Sequence, residues 1–266
     1  MKQVVDSKIV SIFEKILRMK RILFALLFLV SILPSAVQAQ KGLKVGFTAS
    51  PLNSWMLNQQ DIDAPEADFK YRTTWGMQGG LTGGVNFSNR FGIMANILYS
   101  AQGQRFTTNP EGLDRGIKNN IALYYLKLPV MLRFSTKPVK KVVWSIYGGM
   151  QIAHLTKAKF FNDDYRFIPD NPNVRYPNTR DLYNEWHYSL VGGLGADVRL
   201  TRQLYLNLNV RVENGIMDTE KKSAQYYERQ FNRLLVRNYY PDNRPETALL
   251  VYGFNFGFTY HFIKGR

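Results

Sequence analysis

Glu185, His187 and Ser189 place an acid, an imidazole and a hydroxyl at positions i, i+2 and i+4. Those residue types can carry acyl transfer: histidine takes the serine proton and the carboxylate orients the ring. The spacing argues against that use. In an extended segment every second side chain shares a face, so the three stand in a straight row and do not converge on a reacting atom. The preferred reading is a rim histidine beside a serine, with no catalytic residue. His154 and His261 are isolated, and no metal-ligand spacing is present. The chain has no cysteine, which excludes disulfides, thiolate metal sites and a cysteine-linked lipid anchor. The paired glycines, Gly79-Gly80 and Gly83-Gly84 among them, are not followed by Lys-Ser/Thr, so they form no phosphate loop. The expectation is a protein that is not an enzyme and needs no cofactor and no metal.

The elements that carry these residues have a period of two. Across 121–134 the even positions are Ala122, Tyr124, Leu126, Leu128, Val130, Leu132 and Phe134, and the odd ones include Lys127 and Arg133. Across 204–213 the even positions are Leu204, Leu206, Leu208, Val210 and Val212, against Tyr205, Asn207, Asn209, Arg211 and Glu213. Such alternation marks strands with one apolar and one polar face. Eight segments qualify: 41–50, 75–87, 91–104, 121–134, 142–157, 185–200, 204–216 and 247–262. Most exceed the ~9–11 residues a tilted strand needs to cross a bilayer.

Their connections alternate in length. Residues 88–90, 135–141 and 201–203 are short links, whereas 51–74, 105–120, 158–184 and 217–246 are long. Short periplasmic turns and long extracellular loops characterise a transmembrane barrel. The predicted fold is therefore all-β, an eight-stranded antiparallel up-and-down barrel in the cell outer membrane with both termini periplasmic. Trp75, Phe87, Phe91, Tyr99, Trp144, Trp186 and Tyr188 fall on the apolar face, mostly near strand ends, as interfacial girdles would. The opposite face offers Gln78, Thr82, Asn86, Asn96, Gln102, Gln151 and Asn255 with the ions Lys44, Lys127, Arg133, Asp197, Arg199, Arg211 and Glu213. Eight strands leave just enough room for side chains to fill the interior. Those seven ions are expected to form a paired polar plug, because a lone buried charge is expensive.

The N-terminus supports export. Met19-Lys20-Arg21 precedes an apolar run of 12 residues, 22–33; Pro34 and Ser35 end it, and Val37-Gln38-Ala39 supplies small residues for cleavage before Gln40. Residues 1–39 read as an N-terminal extension and signal peptide, with Met19 a candidate start, and 40–266 as the barrel. The run is too short for a spanning helix. The precursor carries +15; without residues 1–39, 29 basic residues oppose 18 acidic ones, a balance of +11. For an exported chain that excess suits outer-membrane lipid and lipopolysaccharide, and nucleic acid is not an expected partner.

Two long loops stand out. In 225–238, QYYERQFNRLLVRN, Tyr227, Phe231, Leu234, Leu235 and Asn238 fall on one helical stripe, with Arg229, Arg233 and Arg237 on another. Arg229, Phe231, Arg233 and Arg237 could dock lipopolysaccharide phosphates or a protein; the favoured alternative is a helix folded over the barrel mouth with its arginines solvated. Residues 158–184, with Asp163, Asp164, Tyr165, Tyr176 and Tyr183, form a second recognition candidate.

Four strings resemble the PorT-like outer-membrane barrel family of Bacteroidetes. Residues 125–134, YLKLPVMLRF, are similar to its "YL-x-IP-x-L-x-KY" strand; 97–103, ILYSAQG, to its "LLYSxQG" strand end; 147–157, YGGMQIAHLTK, to "GPQIGYLLSAK"; and 252–262 to its closing aromatic strand. Lys127 departs from the pattern, where relatives often carry an acidic or small polar residue. Pro129 lacks a ladder donor on any reading, so a bulge or irregularity is expected there. The resemblance implies a non-enzymatic structural or interaction component linked to type IX-like protein secretion, with secretion-machinery or other envelope proteins as partners. The alternatives are a narrow pore or ligand-binding barrel, and a lipid-modifying enzyme, since His-x-Ser is similar to the arrangement of outer-membrane lipid A deacylases. Those enzymes act from the lipid side, whereas His187 and Ser189 share the inward face of Asp197.

Overall fold

A computed structural model describes residues 42–58, 69–88, 90–108, 117–136, 141–162, 179–221 and 246–262. Residues 1–39, read as an N-terminal extension and signal peptide, lie outside them. The strands are β1 (Leu43–Leu57), β2 (Phe69–Arg72), β3 (Trp75–Asn86), β4 (Phe91–Thr108), β5 (Ile117–Ser135), β6 (Val142–Asn162), β7 (Trp186–Arg199), β8 (Leu204–Gly215) and β9 (Ala248–Phe262), with a 3-10 turn at Thr179–Leu182. All pairings are antiparallel, and β9 returns to pair with β1, so the sheet closes into a barrel, with only the short β2 paired on one side. The four-residue β2 continues β3 along β4. Between Arg72↔Arg105 and Met77↔Ala101 it takes five steps against four, which is a bulge. Thr74 patches that bulge: its hydroxyl accepts from Arg105 N at 2.7 Å and donates to Arg72 O at 3.1 Å. The barrel is thus eight-stranded.

Register fixes its girth. Following paired residues round the ring from Lys44 leads through Gly84, Met94, Met131, Gly149, Val191, Glu213 and Val251 to Ser54, ten residues beyond the start. A shear of ten over eight strands, with ~3.3 Å rise and ~4.8 Å spacing, tilts the strands by about 40° and sets the wall about 8 Å from the axis. So narrow a tube must be filled by its own side chains.

Between its aromatic girdles the outward face is apolar, from Phe47, Leu81 and Ile97 to Leu128, Ile146, Leu194, Val210 and Phe254, all exposed. Phe87, Phe91, Phe134, Trp144 and Phe262 ring the short-turn end; Trp75, Tyr99, Trp186, Tyr188 and Tyr252 ring the other. From Phe134 to Tyr124 is ten steps along β5, or about 25 Å after tilt, the height of an outer-membrane apolar band.

Two of the short turns are built alike. Ser88 Oγ accepts from Arg90 N and Phe91 N, and Thr201 Oγ1 accepts from Gln203 N and Leu204 N. At the other end the strands outrun the sequence reading: β1 passes through Pro51 to Leu57, β4 reaches Thr108 and β6 reaches Asn162. Proline does not stop β1, because only the β9 ladder lapses at Ser50 and Pro51; it resumes in register at Leu52↔Gly253. Pro129 acts in the same way. Pairing with β4 lapses opposite Asn96 and Ile97 without a change of register, and the bulge of β5–β6 lies instead at Tyr124/Tyr125.

One glycine is dictated by an inward side chain. Tyr147 from β6 lies across Gly193 of β7, where a Cβ would sit 2.3 Å from both Tyr147 Oη and Val210 O. The missing side chain lets the phenol reach Asn209 Oδ1 at 2.7 Å.

Candidate functional site: a filled lumen

Inward positions alternate along every strand, and their chemistry changes from one end of the barrel to the other. At mid-height Lys127 of β5 crosses the lumen to Glu213 of β8, Nζ to Oε2 at 2.7 Å. Its ammonium also donates to Gln102 Oε1 at 2.7 Å and Gln78 Oε1 at 3.3 Å, which uses all three donors. Glu213 Oε2 accepts a further bond from Gln151 Nε2 at 2.9 Å, and Arg211 Nη2 donates to Gln151 Oε1 at 2.8 Å. Arg211 Nε stands 2.9 Å from Glu213 Oε1, an ion pair off the hydrogen-bond axis. This network ties β3, β4, β5, β6 and β8 together, and Lys127 and Glu213 are only 1% and 2% exposed. Buried ions so placed need every partner, since each costs several kcal/mol to dehydrate.

Nearer the short turns, Arg133 Nη2 pairs with Asp197 Oδ2, and Asn207 Nδ2 donates to Asp197 Oδ1 at 2.7 Å. Asn255 Nδ2 donates to Asn209 Oδ1 at 2.9 Å, Thr82 Oγ1 donates to Asn96 Oδ1 at 2.8 Å, and the Tyr205 and His261 rings stack at 4.0 Å. Lys44 is buried in the same layer. These groups line a cavity of about 60 Å³.

Towards the long loops the lumen turns apolar. Leu52, Met56, Leu123, Tyr125, Leu155, Leu249 and Val251 form a core inside the barrel, joined by Tyr183 and flanked by Leu182. Residues 179–185, 217–221 and 246–247 close over it. Asn184 N donates to Thr219 O, Thr219 N to Thr247 O and Lys221 N to Leu182 O, at 2.9–3.0 Å. Asp218 Oδ1 takes both Glu220 N and Thr247 N at 3.1 Å. Burying one large side chain such as Tyr183 contributes roughly 1.5–3 kcal/mol, so the cap is anchored as well as stitched.

Of the ions read as a lumen plug, Lys44, Lys127, Arg133, Asp197, Arg211 and Glu213 lie inside and buried. Arg199 does not. It has inward parity but is the last residue of β7, beside the 200–203 turn, and its side chain is exposed where the tube opens. The apolar inner core is hidden in the sequence by the polar residues that dominate the inward face. Its signal is Ile121, Leu123 and Tyr125, which make both faces of β5 apolar across 121–126. The cap was missed because isolated loop residues such as Asn184 and Asp218 carry no periodic signal.

The acid–histidine–serine row does not form a site. His187 and Ser189 point inward and are buried, whereas Glu185 is exposed and pairs with Arg180 at 3.5 Å. His187 is buried rather than at the rim: the ring lies 6.2 Å from that of Tyr125, and among the described residues neither nitrogen has a hydrogen-bond partner. Among those residues no group of three or more His, Cys, Asp or Glu could hold a metal ion. Arg229, Phe231, Arg233 and Arg237, with Asp163, Asp164, Tyr165 and Tyr176, lie outside the described residues.

The outer membrane protein beta-barrel domain family matches residues 38–221. The chain belongs to that family. Outer membrane protein beta-barrel domains reside in the outer membrane, and the apolar band and girdles of this barrel suit that location. No curated protein sequence matches the chain. Among solved structures it is similar to the outer membrane protein OprG from Pseudomonas aeruginosa, at 15% identity over 84% of this chain and 96% of that one, with a TM-score of 0.42. Neisserial surface protein A is similar at 8% identity, 83% and 97% coverage and a TM-score of 0.43; outer membrane protein AlkL is similar at 15%, 87% and 95%, and 0.38.

Proposed function

We propose that this barrel is a non-enzymatic scaffold whose capped, long-loop end docks a protein of the envelope in the service of protein secretion. The observation that carries the reading is the filled lumen. An ionic layer spans the tube and an apolar core sits beneath a stitched cap, so what remains for recognition is the surface at the long-loop end. The link to secretion rests on the resemblance of 125–134 to the PorT-like strand. In a deletion strain, secreted proteins should disappear from the medium, and crosslinking through the long-loop end should recover an envelope protein. An unchanged secretome with no crosslinked partner contradicts the proposal.

The long-loop end faces outward on this reading, which places Leu43 and Phe262, at the opposite end, on the periplasmic side. A basic collar just beyond the long-loop girdle supports the orientation. Lys70, Arg72, Arg105, Lys118 and Lys157 are exposed there, on β2, β4, β5 and β6, and those four strands contain no Asp or Glu. Lipopolysaccharide phosphates in the outer leaflet would meet that collar, and exposed cations are screened by salt. Replacing Lys70, Arg72, Arg105 and Lys157 together by Gln is expected to abolish the extra stability that lipopolysaccharide confers over zwitterionic vesicles, read as the thermal midpoint at low salt. An undiminished lipopolysaccharide effect would count against this orientation.

A further inference from the structure

Among the described residues, the ions inside the barrel do not balance. Lys44, Lys127, Arg133 and Arg211 face Asp197 and Glu213, an excess of two positive charges among the buried inward residues. Each carboxylate serves two cations: Glu213 lies between Lys127 and Arg211, and Asp197 pairs with Arg133 while also lying near Lys44. The mid-height layer has no vacancy, since the Lys127 donors are all used and the amides of Gln78, Gln102 and Gln151 fill the space around it. The layer near the short turns differs. Lys44 is 7% exposed, yet among the described residues it has no hydrogen-bond or ion-pair partner. It lines the cavity of about 60 Å³ together with Arg133, Arg211, Ser145, Asn207 and Asn255.

A lysine ammonium that opens into a cavity without a protein acceptor leaves its three donors to whatever fills that cavity, and a cavity that carries net positive charge favours an acceptor that is itself negative. One water needs roughly 10–15 Å³ of such space, so there is room for a larger guest. Asp197 is no obstacle: Arg133 and Asn207 already occupy its two oxygens. We propose that this cavity binds a small inorganic anion, between chloride and phosphate in size, with Lys44 and Arg133 as its charged ligands and the neighbouring hydroxyl and amide groups completing its shell. The anion would be a structural counterion of the barrel, and it is independent of any partner at the long-loop end.

The test compares wild type with Lys44→Met, refolded in detergent at one fixed ionic strength in sodium bromide, sodium phosphate or sodium gluconate, gluconate being too bulky to enter. For wild type the urea midpoint is expected to rise saturably with bromide or phosphate over gluconate. For Lys44→Met the midpoint should be the same in all three salts and, in gluconate, at or above that of wild type, because an uncompensated cation has been removed. Crystals soaked in bromide should show an anomalous peak beside Lys44 Nζ in wild type. Equal wild-type midpoints in all salts, an anion effect that survives Lys44→Met, or bromide found on the outer surface as an adventitious ion only would each overturn the proposal. Should Lys44→Met fail to refold, Lys44→Gln supports the same comparison, and the wild-type salt series and bromide map decide the matter alone.

Discussion

Glu213→Gln should destabilise the barrel by about 3–5 kcal/mol, nearly as much as Glu213→Ala, although the amide keeps the shape of the carboxylate. Lys127 and Arg211 both lean on that group, at 2.7 and 2.9 Å, and losing its charge leaves two cations buried without compensation. Lys127→Met should cost less, on the order of 1–2 kcal/mol, even though it removes a hub of three bonds. It strands the acceptors of Gln78 and Gln102 but leaves Glu213 paired with Arg211 and lowers the lumen charge. Urea midpoints of the refolded variants in lipid vesicles give the order. If Lys127→Met proved as damaging as Glu213→Gln, packing and not charge would govern this layer.

The second large effect lies on the other face of the same strand. Leu128 points outward, 47% exposed, midway between the aromatic rings at Phe134 and Tyr124. Leu128→Arg should cost roughly 2–4 kcal/mol in a bilayer, because a charge at the midplane has neither water nor a partner. Ala101→Arg, outward and level with Tyr124, should cost roughly 0–1 kcal/mol, since its guanidinium can reach the interface. The pair measures where the membrane sits. Equal costs at the two positions would mean that the apolar band has been placed at the wrong height.

Much of this architecture is legible in the chain because a narrow barrel repeats one rule on every strand. Strict alternation on β5 and β8 assigned Lys127, Arg133, Arg211 and Glu213 to the inside, and parity alone sufficed for Lys44 and Asp197. Parity does not report height. It placed Arg199 with the buried ions, yet at the strand end the same face meets solvent. Nor could composition of one face show that Leu123, Leu155 and Val251, on three different strands, would meet as an inner core; that depends on register, which the shear of ten sets. Pro51 reads as a stop, but a barrel strand tolerates a gap in one ladder when the other continues. The cap escaped because much of its stabilisation comes from backbone hydrogen bonds between segments far apart in sequence, which leave no side-chain pattern.

On the proposed reading the lumen is filled and the protein acts through its surface. Planar-bilayer recording of the refolded wild-type protein tests it most directly. The ionic layer at Lys127 and Glu213, together with the apolar core under the cap, predicts no stable single-channel current at any applied voltage that leaves the membrane intact; a steady, reproducible unit conductance would contradict it.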